Sequence, residues 1–338
     1  QIPAGLAIDA IGIKKALLIS LGLIWLASLL PLASMRFYFV LGTRCLAGIG
    51  TGVAFLAGMK YATVFTDERY RGAVQGVFGA AFSMGAILPF LIMPRLVEYG
   101  WRAVFLSTSL FFLLPICLLL LWGKESDPGP GFRWSDFAPV FKNRAILLLG
   151  LFHAVHFGGV ITLGTWFSPF AIELSGKGLW LAGIMGALVM LVSAGARIFG
   201  GLIMRWMRSE EILKLSFGIL ILCYLGLNTL ENFYAALLVY SLGIFMSSVT
   251  FGPIFYLSSV VSGMDRAATG FGIVNFIANI GSLIFPVVFG LFIDFSGVVR
   301  SGFLFMAGLS TIGFGLTLIF RKMEKRPAQY SFREGMTA

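Results

Sequence analysis

The sequence predicts an all-α membrane protein. Of its 338 residues, 58% are hydrophobic and only 12% are charged, and 34 are phenylalanine. With a mean hydropathy of +0.93, the chain has too few polar side chains to cover a water-soluble surface. Long apolar runs alternate with short charged segments, which is the pattern of helices that cross a bilayer and of the loops that join them.

Ten apolar runs are near the length of about 20 residues that a helix needs to cross the hydrocarbon core. They lie at 16–34, 37–59, 73–94, 103–123, 145–170, 178–204, 215–230, 233–262, 267–293 and 301–320. A further run at 2–13 is too short to span, and the chain opens on Gln1 inside it. We therefore expect a fragment in which this helix is partial and an earlier helix is absent.

The net charge of +10 raises the question of a nucleic-acid partner, and the positions of the cations answer it. If the segment after the 2–13 run is cytoplasmic and the sides alternate, 18 Lys and Arg lie inside and 5 lie outside. This follows the positive-inside rule, so the basic charge sets the topology and predicts no nucleic-acid partner. We expect a multi-pass monomer in a cell membrane, the inner membrane if the source is bacterial.

The residue types that carry chemistry indicate neither an enzyme nor a cofactor. Cys45, Cys117 and Cys223 are far apart in apolar runs and are expected to be small core residues. The sequence has no recognisable nucleophile and base pair, phosphate-binding loop or cluster of metal ligands. The lipid bilayer and a small molecule are the partners that remain.

An internal repeat divides the chain into two halves. A shift of 196 positions lays Gly5 on Gly201 and Gly76 on Gly272 without a gap. The Pro- and Gly-rich segment 124–143 lies between the copies and is expected to be a cytoplasmic linker. The predicted domains are an N-terminal bundle at 1–123, this linker, a C-terminal bundle at 144–321 and a cytoplasmic tail at 322–338.

Several segments carry a resemblance to a known family. The stretch AGLAIDAIGIKK, with Gly5, Asp9, Gly12 and Lys14, resembles the loop between the second and third helices of the major facilitator superfamily. VLGTRCLAGIGTG, with Arg44, resembles the fourth helix of that family, TDERYRG its next loop, and GLFIDFSG the end of its eleventh helix. The chain is identified as a member that contains helices two to twelve.

This resemblance implies a fold of two pseudo-symmetric six-helix bundles around a cavity that opens to each side in turn, with a substrate site near the midplane. Gly5 to Lys15 is expected to form a tight glycine-bracketed turn. The resemblance implies that Asp9 helps to hold the outward-facing state, against a helix N-terminus or a cation across the bundle interface. Alternatively, Asp9 only caps a helix end. In the second copy, Arg205 takes the place of the acid.

Ionisable residues inside the spans are the candidates for binding a substrate, because such groups are costly in lipid. Arg44, Arg197, His153 and His156 are these residues. Two cations without a carboxylate at the same depth favour an anionic ligand. For Arg197 the alternative is a structural contact with backbone carbonyl groups of a neighbouring helix. For Arg44 it is that its motif, widespread in the family it resembles, need not touch the substrate.

The histidines and three further polar residues of the spans each have two interpretations. His153 and His156 are three residues apart, so they are expected to share a helix face and to be able to carry a proton or to serve as structural hydrogen-bonding groups. Tyr240, Asn275 and Asn279 are candidates for substrate contacts or, alternatively, for interhelical hydrogen bonds.

The sequence thus predicts a secondary active transporter of a small anionic organic solute, working by alternating access, with proton coupling as an option. An exporter of hydrophobic or drug-like compounds is the alternative, suggested by the Phe-rich and Met-rich spans. A membrane sensor that does not transport is a remote alternative, because no long soluble domain is present in the loops.

Overall fold

The computed structural model describes residues 2–125, 134–176 and 178–324, and every regular element in these ranges is helical. Nine helical stretches of the described chain are long and apolar enough to cross a membrane. The predicted all-α membrane fold is therefore confirmed. The helices are α1 Ile2–Ile11, α2 Ile13–Leu29, α3 Phe37–Val64, α4 Glu68–Val97, α5 Trp101–Trp122, α6 Trp134–Phe141, α7 Arg144–Ser175, α8 Leu179–Ile203, α9 Ser209–Thr229, α10 Phe233–Val249, α11 Phe251–Ser262, α12 Ala267–Ser296 and α13 Gly302–Glu324.

The helices form a first bundle of α1 to α5 and a second bundle of α7 to α13, with the short α6 between them in sequence. Residues 126–133 of the predicted linker and 325–338 of the predicted tail lie outside the described residues. The exact domain limits given above remain predictions.

Most helices differ by a few residues from the predicted runs, and two of the differences have a clear physical reason. The run 233–262 contains two helices, because α10 ends and α11 begins around Thr250. Pro253 has no N–H to donate to the Val249 carbonyl, which weakens the helix at this point. In the other case, α9 begins at Ser209, ahead of the predicted residue 215, and its first turn contains two glutamates, whose charge suits a helix N-terminus.

The predicted turn from Gly5 to Lys15 is wrong in its extent. Both Gly5 and Asp9 lie within α1, Lys14 lies in the first turn of α2, and only Gly12 interrupts the helix. Gly12 has a φ of 92°, a conformation that strains other L-residues. The absence of a side chain at Gly5 has a different reason: a Cβ there would lie 2.7 Å from the Ala268 carbonyl oxygen of α12.

The sequence repeat is visible in the packing between the two bundles. Gly5 of α1 packs against Ala268 of α12, and Gly201 of α8 packs against Gly72 of α4. The same offset of 196 positions relates both members of one contact to those of the other. A Cβ on Gly201 would lie 2.8 Å from the Cα of Ala73. Small residues thus bring the bundles together at two symmetry-related places.

Candidate functional site

The interface between α4 and α8 positions the candidate site. Gly76 of α4 approaches the backbone carbonyl of Arg197 so closely that it leaves no room for a side chain. About two turns beyond Gly76, the Ser83 hydroxyl lies 3.1 Å from that of Ser193 on α8. Ser193 is also 2.7 Å from the Ser248 hydroxyl of α10. These polar contacts, buried between apolar helices, fix the rotation of α4 and α8 relative to each other.

Arg197 carries a charge inside this interface. Its side chain is only 2% exposed, and its Nη1 donates a hydrogen bond of 3.1 Å to the Gly79 carbonyl of α4, in the opposite bundle. The guanidinium lies 4.7 Å from the ring centre of Phe251 and 5.2 Å from that of Phe82, within the range of cation–π attraction. Its Nε has no hydrogen-bond partner among the described residues, so one donor is left for a ligand.

His153 of α7 is equally buried and has no polar partner. Neither of its ring nitrogens makes a hydrogen bond within the described part of the chain. The imidazole stacks on Phe157 at 5.5 Å between ring centres and meets Phe251 and Phe255 edge-on at 5.9 and 5.1 Å. A buried polar group without a partner costs free energy. Its presence here therefore favours a ligand that completes its hydrogen bonds.

Arg197 and His153 belong to one closed cycle of side chains. Phe251 touches both groups on one side. On the other side, Phe82 lies under Arg197, Phe157 lies against His153, and these two rings are 5.7 Å apart. We call these five residues the Arg197–His153 site. It joins α4 of the first bundle to α7, α8 and α11 of the second.

His156 does not belong to this site, although it is a neighbour of His153 on α7. At 3.6 residues per turn, positions three apart point about 60° apart, and the two side chains meet different neighbours. His156 lies 2.8 Å from the Phe152 carbonyl through Nδ1 and 3.0 Å from the Ser216 hydroxyl through Nε2. Ser216 in turn donates to the Met246 carbonyl of α10. His156 thus links α7, α9 and α10 within the second bundle.

Arg44 also lies apart from Arg197. It belongs to α3, is exposed, and donates a hydrogen bond of 2.6 Å to the Ala27 carbonyl near the end of α2. Its guanidinium lies 5.0 Å from the ring centre of Phe105. The last carbonyls of a helix have no partner within the helix, and a cation suits them.

Tyr240, Asn275 and Asn279 lie elsewhere in the second bundle. Tyr240 is fully buried among Phe167, Phe170 and Phe303, and its hydroxyl donates to the Leu163 carbonyl. Asn279 donates to the backbone carbonyl of Asn275, one turn earlier on α12. The Tyr240 bond joins α10 to α7, as the alternative interpretation expected, whereas the Asn279 bond lies within α12.

Asp9 connects the bundles at the end that the charge pattern places in the cytoplasm. One carboxylate oxygen is 2.7 Å from the Lys60 ammonium of α3. The other accepts hydrogen bonds from the Thr269 backbone N–H at 3.1 Å and from its hydroxyl at 2.6 Å. Thr269 lies in the first turn of α12, where N–H groups lack partners within the helix. Asp9 therefore caps a helix that belongs to the other bundle.

The second copy of this contact has different chemistry. Arg205, at the position related to Asp9, lies 5.3 Å from the ring centre of Tyr70 on α4, and it forms no cap of the Asp9 kind. The glycine contact is therefore duplicated between the halves, whereas, among the described residues, the carboxylate cap occurs in the first copy and a cation–π contact takes its place in the second.

Sequence reasoning gave a helix N-terminus across the bundle interface as one possible partner of Asp9, but it missed Lys60 as a partner and the phenylalanines of the site. The sequence contains 34 phenylalanines, and nothing in it distinguishes Phe82, Phe157 and Phe251 from those that only pack or face lipid. Lys60 was counted only as a cytoplasmic cation. No group of three or more potential metal ligands occurs among the described residues.

Comparison with known proteins gives a consistent result. The family model described as the Major Facilitator Superfamily matches residues 1–286. A quinolone resistance transporter of Acinetobacter baumannii is 25% identical, covering 97% of this chain and 83% of its own. A putative tartrate transporter of Agrobacterium vitis is 23% identical, covering 95% and 81%. The crystal structure of the human organic anion transporter MFSD10 (TETRAN) has the same fold, with a TM-score of 0.82 at 16% identity, over 94% of this chain and 79% of that one.

Proposed function

The chain belongs to the major facilitator superfamily, and we propose that this multi-pass membrane protein carries a small organic anion by alternating access, with Arg197 as the group that binds the negative charge. That the protein is a membrane transporter follows from its membership of this family. The proposal concerns its cargo and the residues that select it.

The environment of Arg197 is the main support for an anionic cargo. A guanidinium buried to 2% exposure has no carboxylate partner among the described residues; its contacts are one carbonyl, two aromatic faces and an unused Nε donor. An unneutralised charge in an apolar interior is costly. An anionic cargo would supply the missing negative charge and accept the free hydrogen bond.

Alternating access is supported by the contacts that join the bundles. Asp9 with Thr269, Gly5 with Ala268 and Gly201 with Gly72 all lie at the ends assigned to the cytoplasm. The Arg197 bond to Gly79 lies deeper along the same interface. For cargo to leave on that side, these contacts must separate, so they stabilise the state that is closed to the cytoplasm.

The similarity to a quinolone resistance transporter favours a second candidate, an exporter of drug-like compounds. The similarity to a putative tartrate transporter favours an anion. Arg197 favours an anionic cargo over a cationic drug, because a buried guanidinium repels cations and attracts carboxylates.

Proton coupling stays a prediction, and the histidines give it limited support. Both nitrogens of His156 are engaged in hydrogen bonds. His153 lies across Phe251 from Arg197, where a second positive charge would be unfavourable. Uptake that loses its pH dependence in His153→Asn protein would establish the coupling.

Thermal unfolding of the purified protein in lipid nanodiscs tests the anion proposal. The probes are acetate, benzoate and nitrate, with methyl viologen as a cationic compound. An anion that binds the folded state raises the midpoint temperature. We expect this shift in the native protein and in Arg44→Gln, which removes the other arginine of the spans, but not in Arg197→Gln.

The variant Arg197→Lys keeps the positive charge and is the control for a loss of binding in Arg197→Gln that comes from a loss of folding. Partial retention of the shift in Arg197→Lys would support the charge as the cause. Equal shifts in the native protein and in a folded Arg197→Gln variant, or a shift with methyl viologen alone, would refute the proposal.

A further inference from the structure

We infer that the cargo of the Arg197–His153 site is a monocarboxylate with an apolar, aromatic body. This inference rests on the proposed function and names the class of anion. Three observations support it: the net charge of the site, the number of polar atoms without a partner among the described residues, and the aromatic side chains that surround the site.

The charge at the site fits a single negative charge. Arg197 is the one lysine or arginine among the described residues that stacks on Phe82 or Phe251. With His153 neutral, the five residues of the site together carry one positive charge. A monoanion balances it, whereas a dianion leaves one negative charge buried without a partner, at high cost in free energy.

The free polar atoms fit one carboxylate. Arg197 offers its unpartnered Nε, and the two ring nitrogens of His153 are unpartnered within the described residues. A neutral imidazole has one N–H donor. Two donors, one from α8 and one from α7, match in number the two oxygens of a carboxylate.

The walls of the site reject hydroxyl groups. Apart from Arg197 and His153, the cycle consists of Phe82, Phe157 and Phe251, with Phe255 against His153. Phenylalanine side chains have no hydrogen-bonding groups, so each hydroxyl of a hydroxylated acid would lose its water without a replacement. An aromatic body instead gains edge-to-face and stacked contacts with these rings.

Access to the rings is consistent with a ligand of this shape. Phe82 is 47% exposed, although it touches Arg197 and Phe157. Phe157 is only half-buried. The aromatic wall on this side of the cycle is therefore not closed by protein, whereas Phe251 and Phe255 form a buried wall opposite.

Isothermal titration calorimetry on the purified protein in nanodiscs, at neutral pH, tests this inference. Benzoate, an aromatic monoanion, is the reference probe. Acetate lacks its ring, phthalate adds a second carboxylate, and benzyl alcohol replaces the carboxylate with a neutral hydroxymethyl group. Tartrate lacks the ring and carries a second carboxylate and hydroxyls. We expect benzoate to bind at least tenfold more tightly than each of the other four.

Two variants test whether Phe82 contributes to the preference for benzoate over acetate. Phe82→Leu should reduce the preference for benzoate over acetate by severalfold, because it removes an aromatic wall from a partly exposed position that tolerates the change. Phe199→Leu is the matched control. Phe199 lies within α8 and is 45% exposed, similar to Phe82, but it packs against Phe245, away from the site. It should leave the preference unchanged.

The outcomes separate this inference from the proposed function. If acetate, tartrate or phthalate binds as tightly as benzoate, and the binding requires Arg197, the anion proposal stands and the aromatic monocarboxylate is refuted. If benzyl alcohol binds as tightly as benzoate, the inference is overturned in favour of export of hydrophobic compounds. If no anion binds in a way that depends on Arg197, the proposed function fails as well.

Discussion

The Asp9 carboxylate of α1 accepts two hydrogen bonds from Thr269 of α12, so an acid of the first bundle caps a helix of the second. Its other oxygen holds the Lys60 ammonium, which comes from the same bundle as Asp9. The three residues therefore form a unit in which one partner moves away when the bundles separate. Lys60 holds Asp9 in position, and Thr269 is the contact that breaks.

Removing the charge of Asp9 should destabilise the protein, because Lys60 then loses the carboxylate of its ion pair. Asp9→Asn leaves a buried ammonium without an anion, so we expect a loss of roughly 2 kcal/mol in the free energy of unfolding. The double variant Asp9→Asn with Lys60→Met should be more stable than Asp9→Asn alone, because the unpaired charge is then absent.

Thermal unfolding in nanodiscs measures both effects. Asp294→Asn is the control, since Asp294 is an exposed acid at the opposite end of α12; it should have little effect. A double variant that is no more stable than Asp9→Asn would contradict the proposed role of the ion pair.

The glycine contact between α8 and α4 should tolerate no methyl group. In Gly201→Ala the new Cβ would lie 2.8 Å from the Cα of Ala73, so the helices must move apart at a cost of about 1–3 kcal/mol. Gly195→Ala on the same helix meets no atom within 4 Å and should be neutral or stabilising by up to about 1 kcal/mol.

Spin-label distances between the cytoplasmic ends of α4 and α8 would report the same change as a shift in population. We expect longer distances to gain weight in Gly201→Ala and not in Gly195→Ala. An unchanged distance distribution and unchanged stability in Gly201→Ala would mean that the close approach does not limit opening of the bundles.

The two histidines should respond in opposite ways to removal of their nitrogens. His156→Leu loses the hydrogen bond to Ser216, so we expect destabilisation of about 1 kcal/mol. His153→Leu removes two buried nitrogens that have no partner among the described residues, so its midpoint temperature should stay the same or rise. At the same time, His153→Leu should weaken anion binding.

This opposition is the expected mark of a binding residue, because a group kept for function often costs stability. Calorimetric unfolding together with a benzoate titration checks both parts. Destabilisation of His153→Leu by as much as His156→Leu would assign His153 a structural role instead.

The candidate site could be predicted only in part from the sequence. Arg197 and His153 stand out, because charged and titrating residues are rare in apolar spans. Their separation from Arg44 and His156 does not follow from the sequence, since it depends on which neighbouring helix each side chain meets. The rings of Phe82, Phe157 and Phe251 come from three helices, and no local pattern indicates that they meet.

What the sequence by itself determined is the class of protein and most of its helices, because hydropathy acts locally along the chain. It also contained the repeat that relates Gly5 to Gly201. Only the tertiary structure decided that both glycines serve close packing between the bundles and that Asp9 caps α12. It also brought Arg197 and His153 together within aromatic walls. Those relationships arise between residues far apart in the chain, where packing geometry and not local preference selects the partners.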